Sequence, residues 1–316
     1  DELIAEHAKR GGPHSSQDLD MYRDPDQQKH PRVPLRVTDR ASMKQWIDGY
    51  DTAIRYVDDC VARIVEQLKA AGVYDDTVIV ISADHGENHG HLGIYGEHGT
   101  ADHGTCNIPF IVRWPGKQTG VVDQGLHYHL DWAPTLMELL GRTDECSYLW
   151  DSQSFAATIE DAEDAGRNEL VISQCCHVCQ RSVRFDEDGH RWLYMRTYHD
   201  GFHPFPEHML YDLATDPLEQ HNLADERPDV VREAAFRLAN WHTDQMQKMA
   251  KHCSDVVDPL WTVIYEGGPQ HARASAPGQP GSPEQFRAYL KRLEDTDRQA
   301  AADDLRQRYP ELVEAE

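Results

Sequence analysis

Basic residues are scarce in this chain: 31 Lys and Arg stand against 55 Asp and Glu, giving a formal net charge of −24 over 316 residues. A surface of that sign has little to set against a phosphate backbone, which argues against nucleic acid as a partner. Long apolar runs are missing as well. None approaches the roughly twenty residues needed to cross a bilayer, so neither a helical span nor a membrane partner is expected. A regular cysteine framework is also lacking. The seven cysteines are odd in number, and Cys175, Cys176 and Cys179 around His177 make only one C-x-x-C. A closed zinc site needs four ligands, so these read as free thiols. Lysine is sparse even beside arginine, whereas aspartate is abundant. That balance fits either a high-salt source or a GC-rich genome, and the first predicts a fold stabilised by salt screening.

Chemistry is concentrated in residues 78–116, VIVISADHGENHGHLGIYGEHGTADHGTCNIPFIVRWPG. The β-branched run from Val78 to Ile81 reads as a buried strand of a parallel sheet. It delivers Asp84 and His85 to its carboxyl end, the edge at which open α/β sheets bind ligands. Gly86 is expected to let the backbone turn away. A second apolar run, Pro109 to Trp114, closes the segment at Pro115-Gly116. Between the two strands lie His85, His89, His91, His98 and His103, interleaved with Asp84, Glu87, Glu97 and Asp102. Carboxylates and imidazoles so grouped suggest a divalent cation site, with Asp84 and His85 as its ligands. His89 and His91 read as plain loop residues.

This stretch resembles the second metal motif of the sulfatase family, within the alkaline-phosphatase superfamily: a strand ending in Asp-His-Gly, an LG-x-x-G loop, then IPFIVRWPG. Two further segments strengthen the resemblance. HLDWAPTLMELLG, residues 129–141, is similar to a family helix, with Asp131 as its cap. LYDLATDPLEQHNLAD, residues 210–225, is similar to the family's carboxyl-terminal signature. The resemblance implies that Asp84 and His85 ligate calcium or another divalent cation. It places His98 at the family's sulfate-contacting Lys position, where it would bind substrate and protonate the leaving group. The implied partner is a sulfated small molecule or carbohydrate.

Several family features are not found. No Cys or Ser opens a C/S-x-P-x-R pattern, the source of the formylglycine nucleophile; Cys106-Asn107-Ile108-Pro109 has its Pro one place late and no Arg. The strand bearing two adjacent Asp ligands and the G-K-x-H segment are missing too. Pro13-His14 is similar to the family's substrate-facing Pro-His, but no apolar strand precedes it, so His14 is expected on the surface. The chain therefore resembles the carboxyl-terminal part of a sulfatase. Formylglycine is expected only in a missing amino-terminal portion, and the chain alone is expected to be inactive. A phosphoryl or phosphonyl ester hydrolase of the same superfamily, or a non-catalytic metal-binding remnant, are the alternatives.

The expected fold class is α/β: part of a sulfatase-like, mainly parallel sheet flanked by helices, with a smaller carboxyl-terminal antiparallel-sheet subdomain. Ser42 to Ala71 predicts a helix with one buried stripe through Tyr50, Ile54, Val57, Val61, Ile64, Val65 and Leu68, ended by Gly72. Four short strands are predicted at 170–173, 181–185, 192–198 and 209–213, the middle pair joined by an Asp188-Gly189 turn. A helix follows from Pro228 to about Met249. His199, His203 and His208 are expected on the surface. Residues 1–165 read as part of the α/β catalytic domain and 166–265 as the smaller subdomain. Residues 266–316 read as a linker and one terminal helix.

Overall fold

The computed structural model describes residues 1–19, 34–147, 149–163, 166–272 and 281–314. Part of the expected loop after residue 10 and part of the expected linker, residues 20–33 and 273–280, lie outside the described residues. The chain is α/β, in the order α1 (Glu2–His7), α2 (Arg40–Ala70), β1 (Ile79–Ser82), α3 (His103–Cys106), β2 (Phe110–Arg113), α4 (Trp132–Leu139) and α5 (Ala156–Asp161). Four strands follow, β3 (Glu169–Gln174), β4 (Cys179–Glu187), β5 (His190–His199) and β6 (His208–Asp212). The helices α6 (Pro228–His252), α7 (Pro259–Tyr265), α8 (Pro283–Asp295), α9 (Gln299–Arg308) and α10 (Pro310–Glu314) complete it. Among the described residues no helix is long and apolar enough to cross a membrane.

The strands β3 to β6 form an antiparallel meander in sequence order. Its tight corner is Asp188-Gly189, where both residues have positive φ (50° and 81°), as a two-residue turn matched to strand twist requires. Alternation along the strands then sorts the side chains. Val183, Phe185, Trp192, Tyr194 and Leu210 meet Val230, Ala234 and Leu238 of α6 on one face. Leu193, Met195, Met209 and Tyr211 point to the other face, where they bury Leu92 and Ile94 from the loop after β1. The His-rich loop is thus seated on the sheet by apolar contact.

Two expectations about the first half are corrected. β1 pairs with β2 antiparallel, Ile79 opposite Arg113 and Ser82 opposite Phe110, and no parallel pairing occurs among the described residues. Nor is β1 buried, because its residues are partly exposed. The stripe on α2 is likewise open: the helix has no buried residue, with Ile54 55% and Ile64 61% exposed. The helix itself forms as its sequence dictates, capped by Asp39, whose carboxylate accepts from Ser42 N at 2.7 Å. It meets the loop through Trp46 and Tyr50: Trp46 Nε1 donates to His89 Nδ1 at 2.8 Å, and the Tyr50 ring lies 4.3 Å from that of His89. His89 is therefore a docking residue rather than a plain loop residue.

The expected terminal helix is broken. Asp297 takes a left-handed conformation between α8 and α9 (φ 59°), and the two helices fold back with α10 around Phe202, Phe286, Tyr289 and Leu293. This unit also grips residues 10–18. Tyr289 Oη contacts Gly12 N at 2.9 Å, and Arg292 Nε donates to Asp18 Oδ1 at 2.5 Å. Arg298 pairs with Asp18 Oδ2, and both side chains are buried. The loop carrying His14 is thereby fixed to the last helices of the chain.

Candidate active site

β1 stops at Ser82, and Asp84 and His85 project from its carboxyl end as their position in the sequence implies. Asp84 is open to solvent, its side chain 88% exposed. Its carboxyl is held below the usual range by its own and His85's backbone N–H groups and by the nearby His85 ring. His85 Nδ1 lies 2.8 Å from the Gly86 carbonyl, which can only accept, so Nδ1 carries the proton. The lone pair is left on Nε2, 3.6 Å from Asp84 Oδ2. An imidazole anchored in this way through its far nitrogen is arranged as a metal ligand. Gly86 is required less for a turn than for close approach: its N–H donates to Thr105 O at 2.7 Å, and a Cβ there would sit 2.0 Å from Gly104 O.

The loop brings His98 back over this pair. Its ring stacks on His85, centroids 3.7 Å apart and nearly parallel, and its Nδ1 lies 3.7 Å from Glu87 Oε1. Burial pushes the Glu87 carboxyl up, opposed by the charges of His98 and His85. His85, Glu87 and His98 offer one ligand atom each within 4.8 Å of one another, a donor set that suits a divalent cation. Asp84, His85, Glu87 and His98 therefore form one constellation. Glu87 had no sequence signal beyond its place among the histidines.

A second group lies behind the first. Glu97, 2% exposed, pairs with His14 Nε2 through Oε2 at 2.8 Å and with His177 Nδ1 through Oε1. Burial works against its charge, but His14 and His177 outweigh burial and hold the carboxyl far below its ordinary value. The His177 ring is 6.4 Å from His98 and 4.6 Å from His271. His14 is thus not a surface residue; the grip of α8 and α9 on residues 10–18 draws it inward. His203, also expected on the surface, is buried beside this group, and desolvation pushes its pKa down to about 3. His208 does bond the Tyr194 hydroxyl, at 2.8 Å.

Asp131 differs in detail from its expected capping role. Its carboxylate makes no cap bond to α4. Instead it accepts from Tyr128 N and Gln153 N, each at 2.7 Å, and takes Arg167 as a two-pronged partner. None of the seven cysteines is in a disulfide.

From Asp84 and His85 a wide cleft of about 1270 Å³ runs past Phe110, Ile111, Val122 and His127 to Arg184 and Arg191 on the sheet. Its walls are more apolar than polar, unlike a closed anion pocket.

The chain is similar to known proteins. Residues 4–142 match the family model described as Sulfatase. The chain is 27% identical over 238 residues to an N-acetylgalactosamine-6-O-sulfatase of Bacteroides thetaiotaomicron, covering 67% of this chain and 45% of that protein. It is 24% identical to the multifunctional alkaline phosphatase superfamily protein PehA of Trinickia caryophylli, covering 68% and 43%. Its fold matches that of BT4656, solved in complex with its substrate D-glucosamine-2-N,6-O-disulfate, with a TM-score of 0.56 at 19% identity, over 69% of this chain and 44% of that one. The chain spans less than half the length of the two curated relatives.

Proposed function

Because this chain belongs to the sulfatase family of the alkaline-phosphatase superfamily, we propose that it carries the cation-binding half of a sulfuric-ester hydrolase acting on a sulfated small molecule or carbohydrate. The observation that carries this reading is the His85 ring, proton on Nδ1 and lone pair on Nε2, facing the Asp84 carboxylate at a strand end. Asp84 would supply oxygen and His85 nitrogen to calcium or another divalent cation. That ion would draw a sulfate oxygen toward it and offset charge in the transition state. Two donors fall well short of the six to eight that calcium takes, so further ligands must come from elsewhere. His98 would hold the substrate's anionic group or deliver a proton to the leaving oxygen, and the Glu87 carboxylate beside its Nδ1 would help to orient the ring.

The nucleophile belongs to the same outside portion. The open stripe of α2, the partly exposed β1 and the apolar cleft walls support that assignment. A patch of this kind marks an interaction surface, and here the rest of a sulfatase-like sheet would cover it. Residues 1–165 then form one part of the catalytic domain, and the β3–β6 sheet with α6 forms the smaller subdomain.

The likeness to PehA supports a second reading, a phosphoryl or phosphonyl ester hydrolase. Aryl-sulfate and aryl-phosphate turnover, measured on the chain alone and with an amino-terminal portion supplied, separates the two. We expect no turnover by the chain alone and calcium-dependent sulfate hydrolysis by the completed protein, lost in Asp84→Asn. Preference for phosphate selects the second reading. A completed protein inert to both esters leaves a metal-binding protein without catalysis.

A further inference from the structure

The second group, around Glu97, is not needed for the reading above, and its composition is unusual for a structural ion pair. Three segments far apart in the chain converge on one buried carboxylate carried by a fourth. Residues 10–18 bring His14, the loop after β1 brings Glu97, the β3–β4 connection brings His177, and the segment after α7 brings His271. His14, Glu97 and His271 each offer one ligand atom, and these atoms lie within 4.8 Å of one another. Close packing holds the surroundings. A Cβ on Gly99 would strike the His177 ring at 2.7 Å, and one on Gly201 would meet His177 O at 2.0 Å. His14 itself sits at φ 54°, a backbone region uncommon for a residue with a side chain.

We propose that His14, Glu97 and His271 form a binding site for a transition-metal ion of the zinc class, separate from the Asp84–His85 end of β1. Two imidazoles and a carboxylate, two nitrogens and an oxygen, are the donor set that leaves a tetrahedral zinc ion one open position. His14 Nε2 and Glu97 Oε2, 2.8 Å apart, are somewhat closer than two donors sharing one ion through bonds of about 2.0–2.1 Å, so this pair opens slightly on binding. The carboxylate is already oriented for this. Oε1 accepts from His98 N at 2.9 Å and meets His177 Nδ1, which leaves Oε2 toward His14 and the interior of the group. Such outer contacts to a ligating carboxylate are what align it. Each neutral imidazole offers a nitrogen lone pair, so this crowd of imidazoles suits a divalent ion that favours nitrogen ligands. Hard, oxygen-seeking calcium fits it poorly. The His14 and His177 side chains remain 20% and 17% exposed, giving the ion a way in.

Zinc titration of the chelator-treated full chain, with cobalt as a spectroscopic stand-in, tests the site without any need for turnover. Because His85, Glu87 and His98 can also take zinc, the parent for the test is His85→Ala/His98→Ala, which keeps the His98 backbone N–H. That parent is expected to bind one equivalent of zinc and to give the visible bands of four-coordinate cobalt. Adding Glu97→Gln, or His271→Gln as a second variant of unchanged circular dichroism, should weaken zinc at least 100-fold and remove the bands. A parent that binds no zinc overturns the proposal, as does one whose affinity is unchanged by Glu97→Gln and His271→Gln. Sulfatase activity of the completed protein is unaffected by either result as evidence for the Asp84–His85 reading.

Discussion

Asp18→Ala is the sharpest test of how the structure positions His14. The Asp18 carboxylate is buried and meets Arg292 Nε at 2.5 Å, Tyr289 Oη at 3.2 Å and the buried Arg298 guanidinium. Removing it leaves Arg298 buried without its counter-charge, which costs about 3–5 kcal/mol. Arg292 is partly exposed and can turn to water, so it adds little. The pair itself is worth far less than that loss. Replacing both ends, Asp18→Leu/Arg298→Met, should come within about 1–2 kcal/mol of the parent, because desolvating two charges offsets most of their attraction. Urea unfolding of the parent, the two single variants and the double variant closes the cycle. A loss below about 1 kcal/mol in Asp18→Ala, or a double variant as damaged as the sum of the singles, refutes the argument. The contribution is also pH-dependent. Burial works to raise the Asp18 pKa, but Arg298 and then Arg292 outweigh it, so the folded value lies below the unfolded one. The stabilisation is present above the ordinary carboxylate pKa, about 4, and is lost as pH falls through the lower folded value.

Acid should act on the fold from a second direction: desolvation lowers the pKa of His203 to about 3 and of His7 to about 4, so below pH 6.5 the unfolded chain takes up protons that the folded one refuses. Between pH 7 and pH 5 each should cost about 2 kcal/mol of stability, read as a fall in urea midpoint, and a flat profile would count against their burial. Trp46→Phe loses the 2.8 Å bond to His89 and the far indole edge against Gly96, so it should cost at least about 1 kcal/mol, and His89→Ala, which loses the same bond and the Tyr50 contact, should also cost at least about 1 kcal/mol. Equal stability of His89→Ala and the parent would show that α2 is not docked through this residue. With a net charge of −24, the melting temperature should keep rising into molar salt, and an unchanged value would leave only genome composition to explain the acidic surface.

Local elements were legible because their causes are local. The Asp188-Gly189 corner, the four strands, α6 and the Asp84-His85 strand end all follow from alternation, turn chemistry or helix spacing within a few residues. What the sequence did not disclose is convergence. Nothing near His14, His177 or His271 marks them as neighbours of Glu97, since they are brought together by the meander and by the Asp18–Arg298 pair. The α2 stripe shows the opposite error: its periodicity is real, but periodicity reports only that a face is apolar, not that anything in the described residues covers it. His203 was missed because a polar residue in a loop reads as exposed until the packing of α8–α10 is known.

The Asp18–Arg298 pair joins positions 280 residues apart, and that separation sets when the His14 corner can assemble. Closing a loop of this length costs about 5 kcal/mol of chain entropy before any contact rewards it. At about 5–20 residues added per second, the ribosome finishes residue 298 some 15–55 s after residue 18. The β3–β6 meander, made of neighbouring hairpins, has by then had ample time to form on the growing chain. The grip of Arg298 on the His14 loop therefore comes late, onto a sheet already folded, and until then the loop is held only by its contacts with residues 94–97, such as Tyr95 N to His14 O at 2.9 Å.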